Sequence, residues 1–310
     1  MIQLFNLNNH LIDTSKFSNI LHDKVVSDFE KKIAKYVGAK YACSVNSATN
    51  AIFLVLTMDY FLKPRTVKIP SMIPPVVANA ILTSHNKVKF TDNIKWIGDS
   101  YILHKFRTYK MVDSAQKLEK NQFRKECKPE DVMIFSHYPT KPLGSIDGGT
   151  IVTDDYKKYK WFKEAVLNGT TFAENNWERG ISFPGYKMYM NSIQAEILMK
   201  NFEHFDKKMK VLGQLVDIYN REFGYENKSK HLYTIEVLDN EKFIQSMKEA
   251  GIVCGIHYPA LHLNPIYNDD NQSDCPKSEK LEKRTVSLPM NETLSFLETE
   301  YIIDKVKENL

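Results

Sequence analysis

The chain has 310 residues, 43% of them hydrophobic and 26% charged, a make-up that fits a globular protein with one large domain and a smaller one. Its net charge of +4 comes from lysines scattered along the chain. There is no basic run with interleaved aromatics, so nucleic-acid binding is not expected, whereas a phosphorylated small molecule suits the balance. No apolar run approaches the roughly 20 residues needed to span a bilayer, so no membrane partner is expected. The four cysteines, Cys43, Cys127, Cys254 and Cys275, form no C-x-x-C pair, and the first residues lack the regions of a secretory signal. A cytoplasmic protein with reduced thiols is the expectation.

Residues 23–37 place Val26, Phe29, Ile33 and Val37 at helical spacing and stop at Gly38, which predicts an amphipathic helix. A strand at 41–45, a turn N-S-A-T at 46–49 and an apolar helix at 50–61 follow. That turn suits an anion, because free N–H groups and the positive end of the helix face it and Ser47 and Thr49 add hydroxyls. Ser and Thr are also common N-caps, and capping alone accounts for them. Further strands are predicted at 67–69, 88–91, 109–112 and 132–136, with Pro75 opening a helix that runs to residue 84. Strand and helix in alternation argue for an α/β layer with a largely parallel sheet, whose ligands gather at the carboxyl ends of its strands. Asp113 sits at such an end, as a helix cap or as the partner of a cation. Residues 92–107 show no clear pattern.

In the second half, 154–167 reads as a helix and 168–185 as a long loop of the kind that often binds ligands. Leu198, Phe202, Phe205, Met209, Leu212, Val216, Tyr219 and Phe223 form one stripe, which predicts a single long helix over 192–223 used for packing. After Gly224 the pattern becomes a small α+β unit: strands at 232–238, 252–258 and 286–288, and helices at 241–250 and 294–309. Cys254, His257 and His262 invite a metal reading, but they lack a fourth ligand at ligand spacing, so no metal is expected.

Between the apolar runs 132–135 and 150–153 lies a loop carrying Lys141, flanked by Gly144, Gly148 and Gly149. A loop held by two strands can aim an amine into a cleft. A solvated loop lysine is the plain alternative, and only independent residues can decide between the two.

Those residues come as a set. V-N-S-A-T-N-A at 45–51, I-P-S-M-I-P-P-V-V-A-N-A-I at 69–81, V-D-S-A-Q at 112–116 and F-S-H-Y-P-T-K-P-L-G-S-I-D-G-G-T-I-V-T at 135–153 occur in that order. G-Y-K-M-Y-M-N-S-I-Q-A-E-I at 185–197, G-I-H-Y-P-A-L-H-L-N-P-I-Y at 255–267 and S-L-P-M at 287–290 follow. Together they resemble the DegT/DnrJ/StrS family of pyridoxal-phosphate-dependent sugar aminotransferases. The resemblance implies fold type I, aspartate aminotransferase-like. A large domain over residues 1–205 would hold a mostly parallel, seven-stranded sheet, and 206–310 would supply a linking helix and a small α+β domain. It further implies a homodimer with active sites at the interface, a keto nucleotide-sugar as acceptor, and an amino-acid donor, expected to be L-glutamate.

It also implies roles. Lys141 would form the Schiff base with the cofactor and carry protons, Asp113 would face the pyridine nitrogen, and Gln116 would lie against the ring and its 3-oxygen. Ser47, Ala48, Thr49 and Ser136 would hold the phosphate, and His257, Tyr258 and His262 would lie on the substrate side. Departures are equally specific. Pro74 stands where relatives stack an aromatic on the ring, Ala48 replaces a glycine, and Lys187 replaces an asparagine that reaches the neighbouring subunit's phosphate. Several tens of residues are compressed into 91–108, which removes a strand or its covering helix. These departures leave a second reading open, a cofactor-binding protein of the same fold, regulatory or structural, with lost or altered catalysis.

Overall fold

The computed structural model describes residues 1–7, 10–58, 64–171, 178–267 and 274–310. The first half runs α1 (Lys24–Val37), β1 (Tyr41–Val45), α2 (Ala48–Thr57), β2 (Thr66–Pro70), α3 (Pro75–Thr83), β3 (Lys87–Thr91), β4 (Tyr101–Lys105) and β5 (Lys110–Asp113). Then come α4 (Gln122–Glu126), β6 (Val132–Ser136), β7 (Gly149–Thr153), α5 (Tyr156–Ala165), α6 (Ser192–Glu203) and α7 (Phe205–Phe223). The chain closes with β8 (Tyr233–Glu236), α8 (Asn240–Glu249), α9 (Pro276–Glu282), β9 (Thr285–Leu288) and α10 (Phe296–Asn309). The expected end of the helix at 50–61 and the middle of the loop at 168–185 lie outside the described residues.

The expected helix boundaries rest on caps. Asp23 accepts from the Val25 N–H and Gly38 ends α1 at φ +79°, a left-handed conformation that glycine adopts without a Cβ clash. Pro75 occupies the first turn of α3, where its missing N–H costs nothing.

The class is α/β as expected, but the strand directions are mixed. A five-stranded sheet has the order β1-β7-β6-β5-β4, in which only β5 and β6 run parallel. β2 and β3 form a separate parallel pair. The shortened segment accounts for part of this. A parallel neighbour needs a crossover of about a dozen residues or more, whereas an antiparallel one needs only a turn. The chain between β4 and β5 is a turn closed by Phe106 N–H donating to the Tyr109 carbonyl at 2.8 Å. β4 therefore folds back on β5 as a hairpin, and the segment that was illegible in sequence contains a strand.

The sheet is buried on both faces. On β6, Val132 and Ile134 join the core under α2, α3 and α5, while Met133 and Phe135 join the core under α1 and α6. Period-two alternation sends successive apolar residues to opposite layers, so a continuous apolar run reads as a central strand. Across one layer edge, Glu30 of α1 accepts from the Ser44 N–H of β1 at 2.7 Å and pairs with Lys163 of α5 at 2.9 Å.

Two expectations are corrected. The single helix over 192–223 is two helices, broken at His204, whose φ and ψ are −107° and 3°. Tyr36 packs edge-on against both Phe202 and Phe205 and its hydroxyl donates to Asp206, so the break lets both phenylalanines bury against α1. The apolar stripe continues through the break, which hides it from periodicity. The strand expected at 252–258 is a pair of isolated bridges, Ile252 with Ile2 and Gly255 with Ser287. The N-terminal residues thus pack on the C-terminal layer of β8, β9, α8 and α10, and beyond Gly255 the chain turns inward.

Removing the carboxylate at Glu30 leaves the Lys163 ammonium buried without its partner. Glu30→Ala is expected to lower unfolding stability by about 3–5 kcal/mol. Urea denaturation checks this, and the double change Glu30→Met/Lys163→Met is expected to cost less.

Candidate active site

Lys141 projects from the loop between β6 and β7, and that loop is pinned from inside. His137 is fully buried, and its Nδ1 lies 2.9 Å from the Leu143 carbonyl while Nε2 lies 2.8 Å from the Thr150 hydroxyl. Burial pushes its pKa down to about 4, so the ring is neutral. A carbonyl only accepts, so Nδ1 carries the hydrogen and Nε2 accepts from Thr150. Asn201 of α6 donates to the Gly144 carbonyl at 2.7 Å, and the Lys141 N–H donates to the Tyr138 carbonyl at 2.9 Å. The lysine is therefore aimed by a closed set of bonds.

A cavity of about 470 Å³ opens beside it, within the range of small-ligand sites. Its walls bring together Ser47, Ala48, Thr49, Pro74, Asp113, Gln116, Ser136, Lys141, His257 and Tyr258. Five segments, far apart in sequence, converge there. Ser47 caps α2 by accepting from the Asn50 N–H at 3.2 Å, so the capping reading and the cavity-lining reading hold at once. The helix lies close against β7 because residue 149 is glycine; a Cβ there would sit 2.7 Å from the Ala48 nitrogen.

The electrostatics are those of a buried amine and a buried carboxylate. Desolvation lowers the Lys141 pKa to about 8 against the opposing attraction of Asp113. Asp113 is 4% exposed, and burial raises its pKa, opposed by hydrogen bonds from the Ala115 N–H and the Tyr101 hydroxyl and by the charge of Lys141. Each carboxylate oxygen has one donor, Ala115 N–H on Oδ1 and Tyr101 O–H on Oδ2, both at 3.0 Å. Gln116 accepts from the Gly98 N–H at 2.6 Å and donates to the Tyr258 hydroxyl at 3.0 Å.

Residues 6–96 and 108–307 match the model of the DegT/DnrJ/EryC1/StrS aminotransferase family, which leaves few residues unmatched. The chain belongs to that family. Among its relatives, the UDP-4-amino-4,6-dideoxy-N-acetyl-beta-L-altrosamine transaminase of Campylobacter jejuni is 21% identical, over 91% of this chain and 88% of that protein. The dTDP-3-amino-3,6-dideoxy-alpha-D-galactopyranose transaminase of Aneurinibacillus thermoaerophilus is 24% identical, over 91% and 89%. The structure of Helicobacter pylori PseC, an aminotransferase of pseudoaminic acid biosynthesis, superposes with a TM-score of 0.79 at 18% identity, covering 98% of both chains. The fold is that of fold-type-I enzymes, the reaction class is aminotransfer and the cofactor is pyridoxal phosphate. The residues present fit that group: a helix N-terminus with hydroxyls for a phosphate, a carboxylate for a basic ring nitrogen, and a lysine whose amine is readily deprotonated.

Two expected residues stand outside the cavity. Lys187 is exposed on the chain's own surface. His262 is buried elsewhere, with Nδ1 on the Ser71 hydroxyl and Nε2 3.1 Å from Glu279, where it ties the 260–262 turn to the strand-end at Ser71 and to α9. Among the described residues no cluster of His, Cys, Asp and Glu is placed to hold a metal. His257, read with Cys254 and His262 as a ligand candidate, instead places Nδ1 2.9 Å from the Ser287 hydroxyl.

Three cavity residues had no local signal. Phe5 stacks on His231 with ring centres 5.4 Å apart, and His231 Nε2 lies 3.5 Å from the Lys141 amine. Burial, then Lys141, holds the His231 pKa well below its ordinary value, so it meets the lysine as a neutral ring. Trp96 lies parallel to Tyr258 at 6.0 Å, and its buried indole N–H has no hydrogen-bond partner among the described residues. Each of the three is brought in by an element that only the tertiary fold places.

The lowered Lys141 pKa makes a test without any cofactor. Reductive alkylation of Lys141 by formaldehyde, followed by peptide mass spectrometry, should rise with pH with a midpoint near 8. Asp113→Asn removes the charge that holds a proton on the amine, so its midpoint should move lower still. A midpoint near the ordinary lysine value of 10.5 would show a solvated amine instead.

Proposed function

We propose that the chain transfers an amino group from an amino acid, L-glutamate in the first instance, to a keto nucleotide-sugar, as an amino-sugar or polysaccharide biosynthetic enzyme. The observation that carries the reading is the convergence of Lys141, Asp113 and the N-terminus of α2 on one cavity.

Lys141 would hold the cofactor, and its amine, when free, would take up and release a proton at Nζ beside the donor's α-carbon. A pKa near 8 suits that duty, since both protonation states are accessible at neutral pH. Asp113 keeps the ring nitrogen protonated, and the bound cofactor then supplies the electron sink. Gln116 has a second amide hydrogen left for the 3-oxygen. Ala48 and Thr49 present helix N–H groups to the phosphate, with Ser47 and Ser136 alongside, where the macrodipole favours an anion. Pro74 bounds the ring, and His257 and Tyr258 line the substrate side.

The named transaminase relatives act on UDP- and dTDP-linked amino sugars, which supports a nucleotide-sugar acceptor here. Val76 and Tyr138 line the cavity yet remain 47% and 54% exposed. Apolar surface of that kind supports a homodimer in which a second copy covers the rim and Lys187 reaches the partner's phosphate as a point charge. The division into 1–205 and 206–310 fits the cores: Phe205 packs with α1 and α6, whereas Leu212 onward packs with β8, β9 and α10. No described helix is long and apolar enough to cross a membrane, and a cytoplasmic location fits the nucleotide-sugar substrate.

With pyridoxal phosphate, the wild-type chain is expected to show a visible absorption band that L-glutamate bleaches, and Lys141→Ala to lose the band and about 10²–10⁴-fold in turnover. A Lys141-dependent band that no amino donor changes would favour the non-catalytic reading. Sedimentation should give a dimer, weakened by Tyr138→Asp.

A further inference from the structure

The hairpin in the shortened segment reaches the cavity from behind, through a residue of its wall, Asp113. The family match runs through residue 96 and resumes at 108, so β4 lies outside it. Nothing carried over from the family therefore describes what β4 does. Tyr101, the first residue of β4, faces Asp113 directly across the antiparallel pair, and its hydroxyl donates to Oδ2 at 3.0 Å. Its ring is held by Trp96, 5.0 Å away between ring centres, and Trp96 is held by Tyr258. From the same segment, Gly98, at φ +82°, gives its N–H to Gln116.

We propose that the 96–101 segment is a rebuilt wall of the cofactor site, in which Tyr101 is a positioning residue that keeps the Asp113 carboxylate ionised and turned toward the ring nitrogen. The role rests on the function proposed above.

Tyr101 is suited to this. Burial, and next the charge of Asp113, hold its own pKa far above the usual phenol range, so it remains a donor at every working pH. Asp113 needs such a donor, because desolvation alone drives it toward the neutral acid. The other titratable groups around the pair are Tyr258 beside Asp113, His231 and His257 beside Lys141, and Asp147 on the cavity wall. The two histidines are held neutral by burial, Tyr258 is held protonated, and Asp147 acts on neither partner, which leaves Asp113 and Lys141 as the coupled charges.

Tyr101→Phe removes the donor and keeps the ring. A hydrogen bond to a charged group is worth about 1.5–3 kcal/mol, so Asp113 should gain proton affinity by about one pH unit or more. In the apo-chain the titration of the Asp113 carboxyl itself, followed by the NMR chemical shift of its side-chain carbon, should have its midpoint raised by about that amount. In the holo-chain the proton shared by Asp113 and the ring nitrogen moves toward Asp113. The positive charge on the ring diminishes, and the pH midpoint of the Lys141-dependent visible band should rise by about one unit. Ile102→Ser, an exposed change on the same strand, should leave both midpoints in place and so controls for general loosening of the hairpin. Both midpoints unchanged in Tyr101→Phe, in a chain that unfolds like wild type, would overturn the proposal. If the Phe variant folds poorly, Tyr101→Leu replaces it under the same two readings. A wild-type chain with no visible band would sink the functional reading instead, and the apo-chain titration would still decide whether Tyr101 governs Asp113.

Discussion

A primary amine and a carboxylate, both withdrawn from water into one cavity, set the terms for the surrounding structure. Each is destabilised in its charged form by desolvation, and each is partly restored by the other. That balance holds only if neither group can swing back to solvent. The fold meets the requirement with bonds that have no other evident use: a neutral buried histidine clamps the lysine loop, and two donors occupy the two oxygens of Asp113. A buried pair of this kind contributes little to stability by itself, so the site depends on the core built around it.

The core supplies rigidity by layering. β5 and β6, the one parallel pair of the main sheet, run to the same edge, Asp113 lying opposite Ile134 and β6 continuing to Ser136, and the antiparallel return of β7 brings Gly149 under the start of α2. Carboxylate, lysine loop and helix N-terminus thus share one sheet edge. The shortened segment changes the sheet's direction without opening this edge, because an antiparallel strand needs only a turn to reach its neighbour. The hairpin places Tyr101 against Asp113, behind the cavity wall that Trp96 helps to line.

Local signals in the sequence carried much of the fold. Gly38, Gly224 and Pro75 punctuate helices whose ends follow from backbone chemistry alone, and the alternating burial of Val132 to Phe135 follows from strand geometry. What failed were features that depend on partners distant in the chain. The stripe through Phe202 and Phe205 looks the same whether or not a break separates them, and the break answers to Tyr36 on another helix. Residues 252–258 carry a strand-like pattern, yet their neighbours are Ile2 and Ser287, each able to offer only one bridge. His262 looked like its neighbours His257 and Tyr258 but turns away to Ser71 and Glu279.

By itself, the sequence determined the membership and the reaction class, and it singled out Lys141, Asp113 and Ser47 as candidates because each lies in a contiguous motif; the three line one cavity. Tertiary structure alone decided the company they keep. Phe5, Trp96, Tyr101 and His231 come from a terminus, an unpatterned segment, a hairpin strand and a C-terminal layer. No short-range pattern marks them, since what makes them part of the site is a long-range contact, and such contacts are fixed only when the separate layers pack.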